Sequence, residues 1–205
     1  MNLEKKSSEH YFSANPKSKH SFYLISTILR GHNFEFFTSS SVFSKNKIDS
    51  GTKLLIETMI LPDEGIILDL GCGYGPIGIV AGFINPKLKV IMTDVNSRAI
   101  DLAKINKKKN RIKNIQIKKG YLYESVGNLI INCILVNPPI SAGMKIVKKM
   151  ILEAPKVLAN KGSFQMVTRS KIGSKILPSI FMKTFGNCTI ISKEGGYRVL
   201  KGDKE

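Results

Sequence analysis

The sequence predicts an α/β fold: a seven-stranded, mostly parallel sheet with helices on both faces, its last strand antiparallel, preceded by a short N-terminal β extension. Three observations carry this. From Gly65 onward, apolar strand-like runs alternate with helical segments, the pattern of a parallel sheet covered on both sides. A glycine-rich turn follows the first of these runs directly. The two closing strands flank Gly195-Gly196, so a hairpin brings an antiparallel strand into the sheet.

The elements follow in order. HSFYLISTILRG and HNFEFFTSSS read as two short strands separated by Gly31-His32-Asn33. Asp49-Ser50-Gly51-Thr52 precedes KLLIETMIL, a predicted helix, and Pro62 and Gly65 break the chain after it. GIILDL is a buried strand and PIGIVAGFI a helix; KLKVIMTD is a strand and SRAIDLAKINKKKN a helix capped by Asn96 or Ser97. NIQIKKG and NCILVNPP are strands, and GMKIVKKMILEAPKVLA is a helix in which Pro155 makes a kink or break. GSFQMVT is a strand, SKILPSIFMKTF a helix, and NCTIISKEGGYRVLK supplies the last two strands.

A chain of 205 residues, 42% hydrophobic, can build one full core. Cys72, Cys133 and Cys188 are far apart, and His10, His20 and His32 all lie near the start, so no zinc site is expected. The odd cysteine count, with two of the three in or beside apolar runs, suits a reducing cytoplasm. MNLEKKSSEH opens no signal peptide, and the longest apolar runs fall far short of the ~20 residues of a membrane helix. The net charge of +17 suits a polyanionic partner, nucleic acid above all. The competing account is a lysine-rich protein whose charge is only a solvated face. Basic residues concentrate from Lys104 to Lys119, with no acid among them, and again at Lys145, Lys148, Lys149, Lys156 and Lys161.

Asp69-Leu70-Gly71-Cys72-Gly73-Tyr74-Gly75-Pro76-Ile77-Gly78 stands where a parallel sheet binds ligands, beyond the carboxyl end of a strand. GYGPIG also matches the dinucleotide fingerprint. Two features favour S-adenosylmethionine instead. Asp69 ends the strand, where a carboxylate repels a pyrophosphate and suits a cofactor bearing a sulfonium and an ammonium. GYGPIG starts too late to lay its glycines under a pyrophosphate. Asp94 ends the next strand, where a carboxylate accepts from both ribose hydroxyls; a dinucleotide enzyme uses such an acid too.

Asn137-Pro138-Pro139-Ile140 follows the apolar strand CILV. The exocyclic amine of a purine is a poor nucleophile because its lone pair is delocalised into the ring. An Asn oxygen and a backbone carbonyl that each accept one of its N–H bonds favour pyramidalisation and free that lone pair. The prolines fix the backbone so that the Pro138 carbonyl faces the amine. Attack on the sulfonium methyl is an in-line displacement that needs no metal and draws on proximity and orientation.

On these motifs the chain resembles the class I, Rossmann-like S-adenosylmethionine-dependent methyltransferases of the NPP(Y/F) group. It is most similar to the small-subunit (16S) ribosomal RNA guanine-N2 methyltransferases, in their short archaeal form. HYFS (10–13), ILRG (28–31), VFSKNKIDSGTKLLIE (42–57), NPPISAG (137–143) and GGYRVLK (195–201) carry the likeness. The resemblance implies an extension, 1–48, packed on a catalytic domain, 49–205, as one structural unit. It implies that Asp69, Gly71, Cys72, Gly73 and Gly75 cradle the methionine part of the cofactor, with Phe43 and Ser44 near its methionine end. Asp94 would hold the ribose, Val95 would lie against the adenine, and Tyr121 and Leu122 would stand by the adenine amine. Asn137, Pro138 and Pro139 would bind the guanine amine, Ile140 would lie against the base, and Asn137 would also touch the cofactor.

Two positions depart from that pattern. Tyr121 replaces an acid that bonds the adenine amine, and Ile140 replaces an aromatic ring in many relatives. The resemblance implies ribosomal RNA or the small ribosomal subunit as partner, a monomer, and no membrane. The alternatives are methylation of adenine N6 or a protein glutamine, and a weakly active or inactive RNA-binding or ribosome-assembly protein of the same fold.

Overall fold

The computed structural model describes residues 22–39, 47–139, 143–172 and 175–205; Phe43, Ser44 and Ile140 lie outside the described residues. β1 (Phe22–Leu29) and β2 (His32–Ser39) form an antiparallel hairpin. Its two-residue turn is Arg30-Gly31, with φ of 47° and 77°, the positive values that a tight, right-twisted hairpin demands at both positions. The turn therefore lies upstream of the expected break, and His32 and Asn33 belong to β2.

The main sheet holds β3 (Gly65–Leu70), β4 (Leu88–Asp94), β5 (Ile115–Lys119), β6 (Ile131–Val136), β7 (Leu158–Arg169), β8 (Thr189–Glu194) and β9 (Tyr197–Asp203). The spatial order is β5-β4-β3-β6-β7-β9-β8. The five strands β3 to β7 run parallel, and β9 is antiparallel to both of its neighbours, β7 and β8. This is the expected Rossmann-like sheet with an antiparallel last strand and an N-terminal β extension.

Strand periodicity sorts the core into two layers. Ile67, Val90, Met92, Cys133 and Leu135 face one layer, with α1 (Ser50–Thr58), α2 (Pro76–Ile84), α3 (Ser97–Lys109) and the hairpin. Leu68, Leu70, Ile91, Ile134, Val136 and Met166 face the other, with α4 (Met144–Glu153) and α5 (Ile176–Phe185). Asp69 shares its parity with Ile67, so it enters the first layer, beneath α2.

Two predicted helices end early. α1 stops at Thr58 because the Arg30 guanidinium takes the Ile56 and Met59 carbonyls, and Gln165 then grips Ile60 at both its N–H (2.9 Å) and its carbonyl (2.7 Å). α4 stops at Glu153, and Ala154-Pro155-Lys156 forms a single 3-10 turn. Pro155 lacks the N–H that the helix needs, and Leu158 already pairs with Ile131 in the sheet. The strand expected to start at Gly162 thus begins at Leu158.

α3 positions the hairpin. Asn96 caps it, accepting from Arg98 and Ala99 N–H, and Ala99, Leu102, Ala103 and Asn106 line its buried face. Asn106 acts as a strand substitute: its side chain accepts from Phe37 N–H (2.7 Å) and donates to the Phe37 carbonyl (2.9 Å). One turn later, Asn110 pairs with the N–H and carbonyl of Glu35 in the same way (3.2 and 2.7 Å). Asn106 also donates to the Tyr74 carbonyl in the glycine-rich turn at 2.9 Å. One fully buried side chain therefore joins α3, the hairpin and that turn.

Asn106→Ala strands three backbone groups that Asn106 now serves, at about 1 kcal/mol or more each. The expected loss is about 3 kcal/mol, read in urea unfolding as a lower midpoint at an unchanged slope.

Candidate functional site

The carboxyl ends of β3, β4 and β6 lie side by side in the sheet. They bring together Asp69, the glycine-rich turn, Asp94, Val95 and Asn137. The turn depends on left-handed backbone at Gly71, Gly73 and Gly75, with φ of 73°, 57° and 97°. At Gly75, which caps α2, an added Cβ would strike the Met92 methyl at 2.5 Å. At Gly71 and Gly73 a Cβ would meet nothing within 4 Å. The turn is packed hard beneath and open above.

Most of its amides are spoken for. Gly71 and Cys72 N–H donate to the Thr93 carbonyl (2.8 and 2.9 Å), and Gly75 N–H donates to the Cys72 carbonyl. Gly73 N–H donates to Asp94 Oδ2 (2.9 Å), and Gly78 N–H donates to Asp69 Oδ2 (2.8 Å). Asp94 Oδ1 accepts from Asn96 N–H (2.9 Å). The turn thus presents carboxylates where a phosphate-binding turn presents free N–H groups.

Asp69 is fully buried, and its Oδ1 has no hydrogen-bond partner among the described residues. Burial pushes its carboxyl up to about 7 against the pull of the Gly78 N–H, and the charge of Asp94 adds to the rise. Burial also raises Asp94, opposed by N–H bonds from Asn96, Gly73 and Val95. An orphaned buried carboxylate oxygen is costly unless a cation or donor reaches it. The residues present therefore fit a cofactor with cationic groups and no phosphate, seated above Gly71 and Gly73.

Asn137 directly follows β6, and its amide is oriented by α1. Its Nδ2 donates to Thr52 Oγ1 at 2.8 Å and to Asp49 Oδ2 at 3.0 Å. Both amide protons are thereby used, which fixes the side-chain flip and leaves Oδ1 as an acceptor. Asp49 is also the cap of α1, accepting from Thr52 N–H at 3.0 Å. Sequence reasoning did not single out Asp49 or Thr52. The signal lay in Asp49-Ser50-Gly51-Thr52, read only as the approach to a helix. Pro138 is buried and Pro139 half-buried beyond Asn137.

The other expected positions divide. Cys72 is buried in the first core layer, and burial pushes its thiol well up, with Asp69 and Asp94 adding to the rise. Val95 is half-exposed beside Asp94. Tyr121 opens the loop after β5, with Lys149 of α4 5.1 Å from its ring centre. Leu122, at φ 49°, buries its side chain in the second core layer with Leu68 and Leu70. It supports the loop from below.

No group of three or more potential metal ligands occurs among the described residues, and no helix among them is long and apolar enough to cross a membrane.

The family profile of the methyltransferase small domain matches residues 33–201. The uncharacterized protein YbxB of Bacillus subtilis is 36% identical over 199 residues, 96% of this chain and 99% of that protein. Ribosomal RNA small subunit methyltransferase C of Hamiltonella defensa is 30% identical over 79% of this chain and 48% of its own length. The T. thermophilus 16S rRNA N2 G1207 methyltransferase RsmC, solved with AdoMet and guanosine, superposes with a TM-score of 0.81 at 21% identity. That superposition covers 93% of this chain and 52% of that one. The chain thus spans about half the length of these two methyltransferases, and nearly all of YbxB. The fold, the glycine-rich turn with its two strand-end acids, and the profile over most of the sequence agree: this chain belongs to the methyltransferase small domain family, whose methyl donor is S-adenosylmethionine.

Proposed function

We propose that the protein transfers a methyl group from S-adenosylmethionine to the exocyclic N2 amine of a guanine in 16S ribosomal RNA. The observation that carries this reading is Asn137: Thr52 and Asp49 take both of its amide protons, and its Oδ1 is left to accept. An acceptor held so rigidly suits an amine N–H. The relatives named for small-subunit ribosomal RNA and the chain's net charge of +17 support RNA as the bearer of that amine.

The cofactor would supply a sulfonium-bound methyl group for in-line displacement: the N–CH3 bond forms as the S–CH3 bond breaks, S-adenosylhomocysteine leaves, and the methylated nitrogen gives up one proton to water. Asp69 would hold its cationic end, and Gly71 and Gly73 would leave it room. Asp94 keeps Gly73 in place through one oxygen and offers its remaining lone pairs to the ribose hydroxyls. Val95 would lie against the adenine, and Tyr121 would stand beside it. Asn137 Oδ1 and the Pro138 carbonyl each accept one N–H of the guanine amine, pulling electron density onto nitrogen and aiming its lone pair. Thr52 and Asp49 position Asn137, and Pro138 and Pro139 hold the carbonyl. The base reaches this corner unstacked from its helix.

The direct test uses tritiated S-adenosylmethionine with undermethylated small subunits, free small-subunit RNA and a protein fraction. The expected product is labelled N2-methylguanosine. Label in N6-methyladenosine or in glutamine redirects the reading to another amine, and no label with cofactor still bound indicates an RNA-binding protein.

Asn137→Ala is expected to lower turnover by at least a hundredfold while cofactor affinity stays within about threefold, because it removes an acceptor used by the amine. Thr52→Val frees one amide proton of Asn137 and is expected to cost about tenfold in kcat, with the cofactor KM unchanged. Steady-state kinetics against both substrates separates these outcomes.

Asp69 sets a pH dependence. Its folded pKa, about 7, lies above its ordinary 3.8, so the folded chain keeps a proton that the unfolded chain has lost. Its contribution to stability is full below pH 4, falls as pH rises toward 7 and then levels. Cofactor binding follows the opposite course, since the cationic ligand needs the ionised carboxylate. Affinity by equilibrium dialysis is expected to rise about eightfold from pH 6 to pH 7.5. Asp69→Asn is expected to bind weakly at both values, and its melting temperature to lose the decline between pH 4 and 7.

A further inference from the structure

Most of the longest basic run lies away from the candidate site; only its end reaches it, where Lys119 closes β5 opposite Asp94 in register. Lys107, Lys108, Lys109, Arg111 and Lys113 surround the turn from α3 to β5, at the end of the sheet opposite to Asn137. Lys107 donates to the Ile115 carbonyl, and Lys109 pairs with Glu35 at 2.9 Å beside a cleft of about 280 Å³.

A different cation reaches the corner where Asn137 stands. Arg169 is the last residue of β7 and the register partner of Tyr197, the first of β9. Its guanidinium lies over the Tyr197 ring, 5.6 Å from the centroid, and its side chain is exposed. The other side of this assembly leads to Asn137. A Cβ at Gly51 would come within 2.9 Å of the Tyr197 ring and 3.0 Å of Asp49 Oδ2, so ring, helix start and carboxylate are in contact range of one point. Asp49 in turn holds Asn137 at 3.0 Å. β6 and β7 run parallel with Val136 opposite Met166, which sets Arg169 level with the Pro139 end of the motif.

Among the described residues Arg169 makes no ion pair. Asp49 is occupied by Asn137 and Thr52. A guanidinium holds its five N–H donors in one plane, the fork that takes a phosphate bidentately, and that of Arg169 stands exposed beside an aromatic ring. Lys171 and Lys175, both exposed, follow it toward α5 and add positive charge to the same rim.

We propose that Arg169, laid on Tyr197, binds the phosphodiester of the RNA nucleotide whose base enters at Asn137. The proposal rests on the reading of the protein as an RNA methyltransferase. Phosphate contact at this rim fixes the strand while the base reaches past Tyr197 and the start of α1 to the Asn137 oxygen.

The test compares Arg169→Ala and Arg169→Lys with the wild type and with an Arg111→Ala control at the far end of the sheet. Small-subunit RNA binding is measured over a range of salt, alongside methyl transfer. Arg169→Ala is expected to weaken RNA binding and raise the RNA KM about tenfold. Cofactor affinity should stay unchanged, and the slope of log affinity against log salt should fall by about 0.7 to 1. Arg169→Lys recovers the salt slope but only part of the affinity, since it keeps the charge and loses the fork. Arg111→Ala changes KM less than twofold. Labelled guanine with RNA binding indifferent to Arg169 overturns this proposal alone. Arg169-dependent RNA binding with no label in any guanine overturns the functional reading alone. A wild-type protein that binds no RNA overturns both.

Discussion

Two carboxylates at adjacent strand ends govern the glycine-rich turn. Asp69 takes the Gly78 N–H and Asp94 takes the Gly73 N–H, so two of the amides a phosphate could use are already held by negative oxygens. This is the physical divide between this turn and a dinucleotide turn that shares its glycine spacing. A pyrophosphate would meet two acids, with the Gly73 and Gly78 N–H groups already taken by them. A ligand with a positive end would find a buried carboxylate oxygen that nothing in the described structure satisfies. Isolated carboxylates are expensive to bury, and the raised pKa of Asp69 is the form that expense takes in the free protein.

The same turn is held from behind by α3. Asn106 reaches the Tyr74 carbonyl with the amide nitrogen that also bonds β2. Asn96, at the other end of α3, connects its cap to Asp94. One helix therefore fixes the turn, the second acid and the hairpin together. From the opposite side, α1 is stopped by Arg30 of the hairpin and capped by Asp49, which orients Asn137. The hairpin does not border the glycine turn in sequence, yet it fixes helices on both sides of the site.

Much of this was legible in the sequence, and the losses have specific causes. GIILDL and PIGIVAGFI were read to the residue because a fully apolar strand, a left-handed glycine and a proline at the helix start leave few alternatives. The length of α4 was overread because its apolar spacing runs on past Pro155, and the pairing of Leu158 with Ile131 is not visible locally. α1 was overread for a similar reason: Met59-Ile60-Leu61 looks helical, but Gln165, far away in sequence, holds Ile60. Asp69, Asp94 and Asn137 could be named because each ends an apolar strand. Asp49 and Thr52 could not, because their role is a contact across 88 and 85 residues of sequence to Asn137. Leu122 was placed by its loop, and only the structure shows its side chain turned into the core.

The chain carries a net +17, yet the reaction corner is lined by Asp49, Asp69 and Asp94. Surface charge acts over roughly 8 Å at physiological salt, whereas buried groups act on what touches them. The two scales separate the tasks in the proposed reaction. A positive exterior draws a polyanion without regard to sequence, and a rim cation such as Arg169 stops its phosphates before they reach the carboxylates. The acids inside are left to a cationic donor, and the neutral amide oxygen of Asn137 is left to a neutral amine. A phosphate driven further in would meet Asp49 first. In the proposed reaction the same charges that attract the cofactor therefore keep the RNA backbone at the edge and admit the base alone.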